Sequence, residues 1–444
     1  MNTGIMAKLR NKHFMSLAGN VAMAGLAMLT VALLYRSLSL EEIGYWFFYQ
    51  TLFMLIDTFR TGFLQVALIK FYTGTEPRRA NEVLGSVWYL ALLITVIMIG
   101  INLSLAPFMG SITNTGLLVT IQWFGITFLA TLPSSIASWI QQSDQRFDRL
   151  LILRVINQGS FIISVVLLIL FREMSLQMIM LVNAISNALV SIATLLLGWT
   201  RFRTFFSRTR ACIKEVYHFG KFSVGTTISA NLLRSSDIFI ITFLLGPAAV
   251  AVYNIPVRLM ELIEIPIRST VATGMSSLAR AFNKNNLKEV GYILQKYAGT
   301  LTVAFIPVAI GAILLADIGV GILGGGKYVN TEAANVYRIM MFLAIFYPID
   351  RFIGVSLDII HQPQANLVKV IMMVIANIVG DFAGISLLGN IYGVALGTLL
   401  PLCVGIFYGY YRINKFVPFK LSGVFVFGYI QNRNLYRKYI LKKS

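Results

Sequence analysis

The sequence predicts an all-α polytopic membrane protein, with about twelve transmembrane helices in two six-helix bundles. Three observations predict it. The 444 residues are 57% hydrophobic but only 12% charged, with a mean hydropathy of +0.75, whereas soluble domains are about 25% charged. Apolar runs of spanning length recur along the chain, separated by short connections. The two halves also carry collinear internal matches. This composition excludes an ordinary soluble enzyme, a disordered chain and a disulfide scaffold.

A bilayer core about 30 Å thick needs roughly 20 apolar helical residues. On that ruler the first six spans run near 14 to 35, 43 to 69, 84 to 108, 117 to 140, 151 to 171 and 177 to 199. The second six run near 219 to 245, 248 to 274, 291 to 316, 334 to 357, 366 to 388 and 391 to 412. The first run follows Lys8, Arg10 and Lys12 and continues past Ala22-Met23-Ala24, so it reads as a span and not as a cleaved signal. Connections such as Gly246-Pro247 and Gly389-Asn390 are too short for anything but antiparallel neighbours. The expected organisation is an N-terminal bundle over 1–199, a basic cytoplasmic linker over 200–218, a C-terminal bundle over 219–412 and a basic cytoplasmic tail over 413–444. Within that tail, Leu421 to Ile430 is too short to span and is expected to lie at the lipid interface.

The net charge of +19 comes from 37 Lys and Arg against 18 Asp and Glu. With the N-terminus inside, the inner loops and ends hold 27 of the 37, the outer loops hold 4, and 6 arginines lie at membrane depth. That asymmetry predicts both termini in the cytoplasm and needs no nucleic acid. The repeat supports the two-bundle reading. At an offset of 207 residues, Glu41 to Trp46 sets against Ala248 to Tyr253, Ile56-Asp57 against Ile263-Glu264, and Glu82-Val83 against Glu289-Val290. At an offset of 220, Gln142 pairs with Gln362 and Asn157 with Asn377. Parallel repeats of this kind place a binding site between the halves near the midplane.

The informative charges are those inside the spans. Arg60, Arg154, Arg234, Arg258, Arg268 and Arg351 fall there, with Asp57, Asp237, Glu261, Glu264, Asp350 and Asp381. At about 2.5 to 3.5 kcal/mol each, six lipid-facing arginines would cost roughly 15 to 20 kcal/mol. They are therefore expected to face protein or water. Asn254, Arg258, Glu261, Glu264 and Arg268 share one arc of the eighth span, and Arg234 and Asp237 share a face of the seventh. Asp57 with Arg60, Arg234 with Asp237 and Arg258 with Glu261 are also i, i+3 pairs that could simply neutralise one another. Arg154 and Arg268 have no obvious acidic neighbour within their own helix on the same face. The stripes together predict a cationic, water-filled central cavity whose arginines bind an anion and whose acids Asp57, Asp237, Glu261, Glu264 and Asp381 are candidates for coupling to H⁺ or Na⁺.

Other motifs carry less. Gly321 to Tyr328 is a near miss to a phosphate-binding loop, with Tyr328 where Ser or Thr belongs, and reads as a turn. Gly393, Gly397, Gly405 and Gly409 form a small-residue packing seam. Pro133, Pro256, Pro307 and Pro348 are expected to kink their helices. Cys212, Cys403 and the three scattered histidines assemble no disulfide or metal set, and no cofactor is implied.

Ser39-Leu40-Glu41-Glu42-Ile43-Gly44-Tyr45, the stretch Asp57 to Gly62, Asp237-Ile238-Phe239-Ile240 through Gly246 to Tyr253, and Gly326-Lys327-Tyr328 resemble bacterial polysaccharide export proteins of the O-antigen flippase type. Ala251 stands where that family often has Gly. The resemblance implies a multidrug-and-toxin-extrusion-like fold and a bacterial inner-membrane location. It also implies a non-enzymatic flippase moving an undecaprenyl-diphosphate-linked oligosaccharide outward by alternating access, for surface polysaccharide such as lipopolysaccharide O-antigen. The implied partners are that lipid-linked sugar, membrane lipids, a polysaccharide polymerase and a chain-length regulator. Arginine suits a diphosphate because its planar fork makes bidentate charge-assisted bonds.

Two alternatives stand beside this reading. A cation-coupled multidrug antiporter on the same fold would want a net acidic cavity, which the six arginines oppose. A membrane enzyme of envelope polysaccharide assembly would present a large external loop and a catalytic constellation, and neither is visible here.

Overall fold

A computed structural model describes residues 12–439. Lys8, Arg10 and the terminal Lys442 and Lys443 of the charge argument lie outside the described residues. Among the described residues every regular element is helical. The chain divides into two compact units, Met1–Asn231 and Leu232–Ser444, with the division inside one long helix.

The first unit begins with α1 (Lys12–Ser37), α2 (Leu40–Tyr72) and α3 (Pro77–Leu105). The Ser39 to Glu42 motif is a capping box: Ser39 Oγ accepts from Glu42 N, and Glu42 Oε2 accepts from Ser39 N at 3.0 Å. The other Glu42 oxygen accepts from Leu176 N at 3.1 Å, which ties the start of α2 to a later helix. The fourth span is in two pieces, α4 (Thr115–Ala130) and α5 (Leu132–Ser143), bent by 46°. Pro133 explains the break, because it brings no N–H for the carbonyl four residues back. Two helices follow, α6 (Phe147–Leu170) and α7 (Leu176–Leu196), and then α8 (Arg210–Leu244) carries the chain across the division. The core of this unit packs Leu64, Val87, Trp88, Ile136, Trp139 and Val216.

The second unit contains α9 (Pro247–Asn283), α10 (Leu287–Leu314) and the short α11 (Ala316–Gly324). Its bent span is α12 (Ala333–Ala344) with α13 (Tyr347–Ile359), at 47°, and Pro348 occupies the place that Pro133 holds in the first unit. The series ends with α14 (Pro363–Leu388), α15 (Ile391–Gly397), α16 (Leu399–Asn414) and α17 (Leu421–Tyr439). Pro256 and Pro307 sit inside α9 and α10, which run on as single helices. The segment Gly321 to Tyr328 is a helix end, a left-handed Gly325 and a 3₁₀ turn, with Tyr328 buried.

Among the described residues, seven helices are long and apolar enough to cross a membrane, or up to nine if each bent pair is one span. The remaining expected spans correspond to α1, α8 and α9, and the last two carry half of the twelve charged residues named inside the spans.

Two expectations change. Lys369, tallied above with the inner loops, is buried at 3% exposure within α14. The segment after 421 extends to Tyr439 and packs along α10: Gln295 Nε2 donates to Lys420 O at 2.7 Å and Asn432 Nδ2 to Thr300 O at 2.9 Å. A methyl at Gly299 would collide with the Val424 carbonyl, so the two backbones touch directly. The glycine seam behaves as expected for packing, with Gly380 against Gly397 and Gly384 against Gly393.

Candidate functional site

The arginines separate into three environments. In the second unit, α9 presents Arg258, Glu261, Glu264 and Arg268 at helical spacing. Arg258 Nη1 bonds Glu261 Oε1 at 2.9 Å, so that pair neutralises itself. Arg268 does have an acidic neighbour on its own helix, against the sequence reading. Glu264 lies one turn back, only about 40° around the helix, and Arg268 grips its Oε2 through Nε at 3.1 Å and through Nη2. From α13, Arg351 Nη2 approaches the other oxygen of Glu264 at 3.8 Å, and Arg234 of α8 is near enough to act on the same carboxylate. Two arginines thus contact one glutamate and Arg234 adds its field, a summed charge of about +2. The side chains of Arg268 and Arg351 remain 62% and 56% exposed, so the guanidinium edges turned away from Glu264 stay open.

Arg60, in the first unit, is the opposite case. It is fully buried, ion-paired to Asp57 at 2.6 Å, and donates to Phe128 O at 3.0 Å and Thr131 Oγ1 at 2.9 Å. Its guanidinium carbon lies 4.1 Å from the centre of the Phe128 ring. In this conformation it offers no surface to a ligand. Arg154 lies exposed on α6 in the same unit.

The third environment is acidic and buried. Tyr253 Oη donates to Asp237 Oδ2 at 2.6 Å, and Asn377 Nδ2 faces Asp237 Oδ1 at 2.6 Å, Ser236 Oγ at 3.1 Å and Asp381 Oδ2 at 3.2 Å. Asp381 and Asn377 are 0% and 3% exposed, and Asp381 Oδ1 accepts no hydrogen bond. Among the described residues, no ion pair joins Asp237 to Arg234 or neutralises Asp381. Two carboxylates sharing one amide in a low-dielectric interior cannot both hold an uncompensated charge. The arrangement can take up one proton or one small cation.

Sequence reasoning singled out Asp237 and Asp381 but missed Tyr253 as their partner and did not count Lys369 among the charges at membrane depth. The signal for Lys369 was present, because Lys369, Met373, Asn377 and Asp381 recur every four residues on one face of α14. Among the described residues no group of three or more His, Cys, Asp and Glu side chains could hold a metal ion.

Comparison with known proteins places the chain. The family model described as "Polysaccharide biosynthesis protein" matches residues 9–275. A probable low-salt glycan biosynthesis flippase of Haloferax volcanii is 22% identical over 213 residues, which are 47% of this chain and 44% of that relative, so the match spans less than half of its length. Among solved structures, the lipid II flippase MurJ in an inward closed conformation superposes with a TM-score of 0.75 at 15% identity, covering 96% of this chain and 92% of that one. An inward-facing multidrug resistance MATE family transporter of the MOP superfamily gives 0.73 at 16% identity, over 88% and 94%. A MOP superfamily transporter from Pyrococcus furiosus gives 0.63 at 15% identity, over 90% and 94%. These likenesses establish a polytopic all-α fold of the MOP transporter type, and the family match establishes that this chain belongs to the polysaccharide biosynthesis protein family.

Proposed function

We propose that the protein is a flippase that carries an undecaprenyl-diphosphate-linked oligosaccharide from the cytoplasmic to the periplasmic leaflet of a bacterial inner membrane by alternating access, with both termini cytoplasmic. The observation that carries this reading is the pair Arg268 and Arg351 meeting on Glu264, with Arg234 adding to the positive field. A cluster of about +2 with two open guanidinium edges is complementary to a diphosphate, which presents two negative charges and paired oxygens. The polyprenyl tail needs no polar partner and stays in lipid. Arg258 is a secondary contact in this scheme, Arg154 is a separate candidate contact within the first unit, and Arg60 acts from within the protein.

The Asp237 and Asp381 pair is the coupling element in this reading. One proton or one Na⁺ held by the pair would cut its charge from −2 to −1, and its release would bias the second unit toward another conformation. Glu261 is engaged with Arg258, and Asp57 with Arg60, so both are weaker candidates. The multidrug alternative fits the fold equally well but wants a net negative site, which the arginine excess opposes.

The test is flipping of a fluorescent undecaprenyl-diphosphate-linked sugar in proteoliposomes. Arg268→Ala and Arg351→Ala should each lower the rate at least about tenfold. Unchanged rates in both single variants and in the double variant would overturn the site. A polysaccharide polymerase and a chain-length regulator are the expected downstream partners.

A further inference from the structure

Each unit contains one broken span, and each break has a buried cation beside it. Pro133 and Pro348 remove the N–H that would have served a carbonyl one turn back. A backbone group left unpaired at membrane depth costs several kcal/mol. Side chains from neighbouring helices meet the backbone next to each break, at Phe128 and Ala130 in the first unit and at Asp350 in the second.

At the first break they come from α2 and α7. Arg60 reaches Phe128 O in the last turn of α4 and the hydroxyl of Thr131 at the junction, while Ser191 donates to Ala130 O and accepts from Ser134 N at 3.2 Å. One planar fork thus holds the end of one helix piece and the start of the next. Past the second break, Lys369 Nζ from α14 bonds Asp350 Oδ1 at 2.6 Å and Asp350 O at 3.3 Å, and Asp350 lies in the first turn of α13. Gly405 and Gly409 make the room. A Cβ at Gly405 would lie 2.7 Å from Asp350 Oδ1, and one at Gly409 would lie 3.3 Å from Lys369 Cδ.

Stability does not explain these pairs. A buried ion pair is often no better than well-packed apolar residues of the same volume, and its retention points to a geometric or switching role. We propose that Arg60 and Lys369 are positioning residues that hold the fourth span of each unit bent, and that transport requires this bend. The inference does not depend on which lipid-linked sugar is carried, because the bend can be measured without substrate.

The test places spin labels at Gln122 and Gln142, exposed positions on either side of the first break. With a rise of 1.5 Å per residue, straightening a 46° bend lengthens their separation by about 2–3 Å. Arg60→Lys keeps the charge but loses the fork. It should lengthen or broaden that separation and slow flipping about tenfold, while pyrophosphate binding to the detergent-solubilised protein stays within about twofold of the parent. An unchanged separation, or normal flipping despite a changed separation, would overturn the proposal. So would pyrophosphate binding that falls in step with flipping, since Arg60 would then be a ligand contact. Should Arg60→Lys fail to fold, Lys369→Met with Asp350→Leu removes both charges of the second pair together, with labels at Asn335 and His361, and the same outcomes decide.

Discussion

Glu264 shows how one carboxylate shapes a cationic site. It takes an ion pair from both Arg268 and Arg351, one on each oxygen, and so offsets one of the positive charges gathered there. Glu264→Gln should raise the local charge from about +2 to about +3 and tighten pyrophosphate binding several-fold, with a steeper loss of affinity as salt is added. Titration calorimetry at two ionic strengths checks this. The same substitution is expected to slow flipping, because a tighter site releases its ligand more slowly. At the buried pair, Asp381→Asn should abolish any dependence of flipping on an imposed H⁺ or Na⁺ gradient while leaving the protein folded, since an amide still fits beside Asn377. A gradient response that survives in Asp381→Asn would remove the pair from the coupling scheme.

The helices explain why some motifs were readable and others were not. Pro133 and Pro348 announce breaks, and both breaks are present. Pro256 and Pro307 carry the same local chemistry but sit in helices that continue past them. The segment after Lys420 looked like a short interfacial stretch, since only Leu421 to Ile430 is apolar. The structure continues it to Tyr439 against α10, where glycines bring the two backbones together. Gly299→Leu should therefore detach α17 and lower thermal stability by about 1–3 kcal/mol or more. The check is a melting curve together with protease protection of the C-terminal segment. A substitution at Gly311, which has nothing within reach of a new Cβ, serves as the control.

Across the whole molecule, the low charged fraction gives the remaining charges their meaning. An outward-moving diphosphate in an inside-negative membrane gains about 2.3 kcal/mol per charge per 100 mV. Outward flipping should therefore accelerate when the potential is clamped inside-negative and slow when it is reversed, and the Glu264→Gln variant should keep that response. A valinomycin-clamped proteoliposome series measures it. Equal rates at both polarities would mean that the charge crosses neutralised.

The sequence by itself determined the class of protein, because apolar spacing and composition are properties of the chain that the bilayer reads directly. It also located the charged residues at membrane depth, since few side chains there can hide. What each charge does was decided only by tertiary structure. Helical periodicity gives the angle at which Arg60 or Lys369 leaves its own helix, but not the carbonyl, ring or carboxylate that a second helix brings to meet it. So Arg60, expected as a ligand contact, lies fully buried against Asp57 and Phe128; Lys369, counted with the inner-loop charges, is a buried partner of Asp350; and Arg268 and Arg351 both meet Glu264.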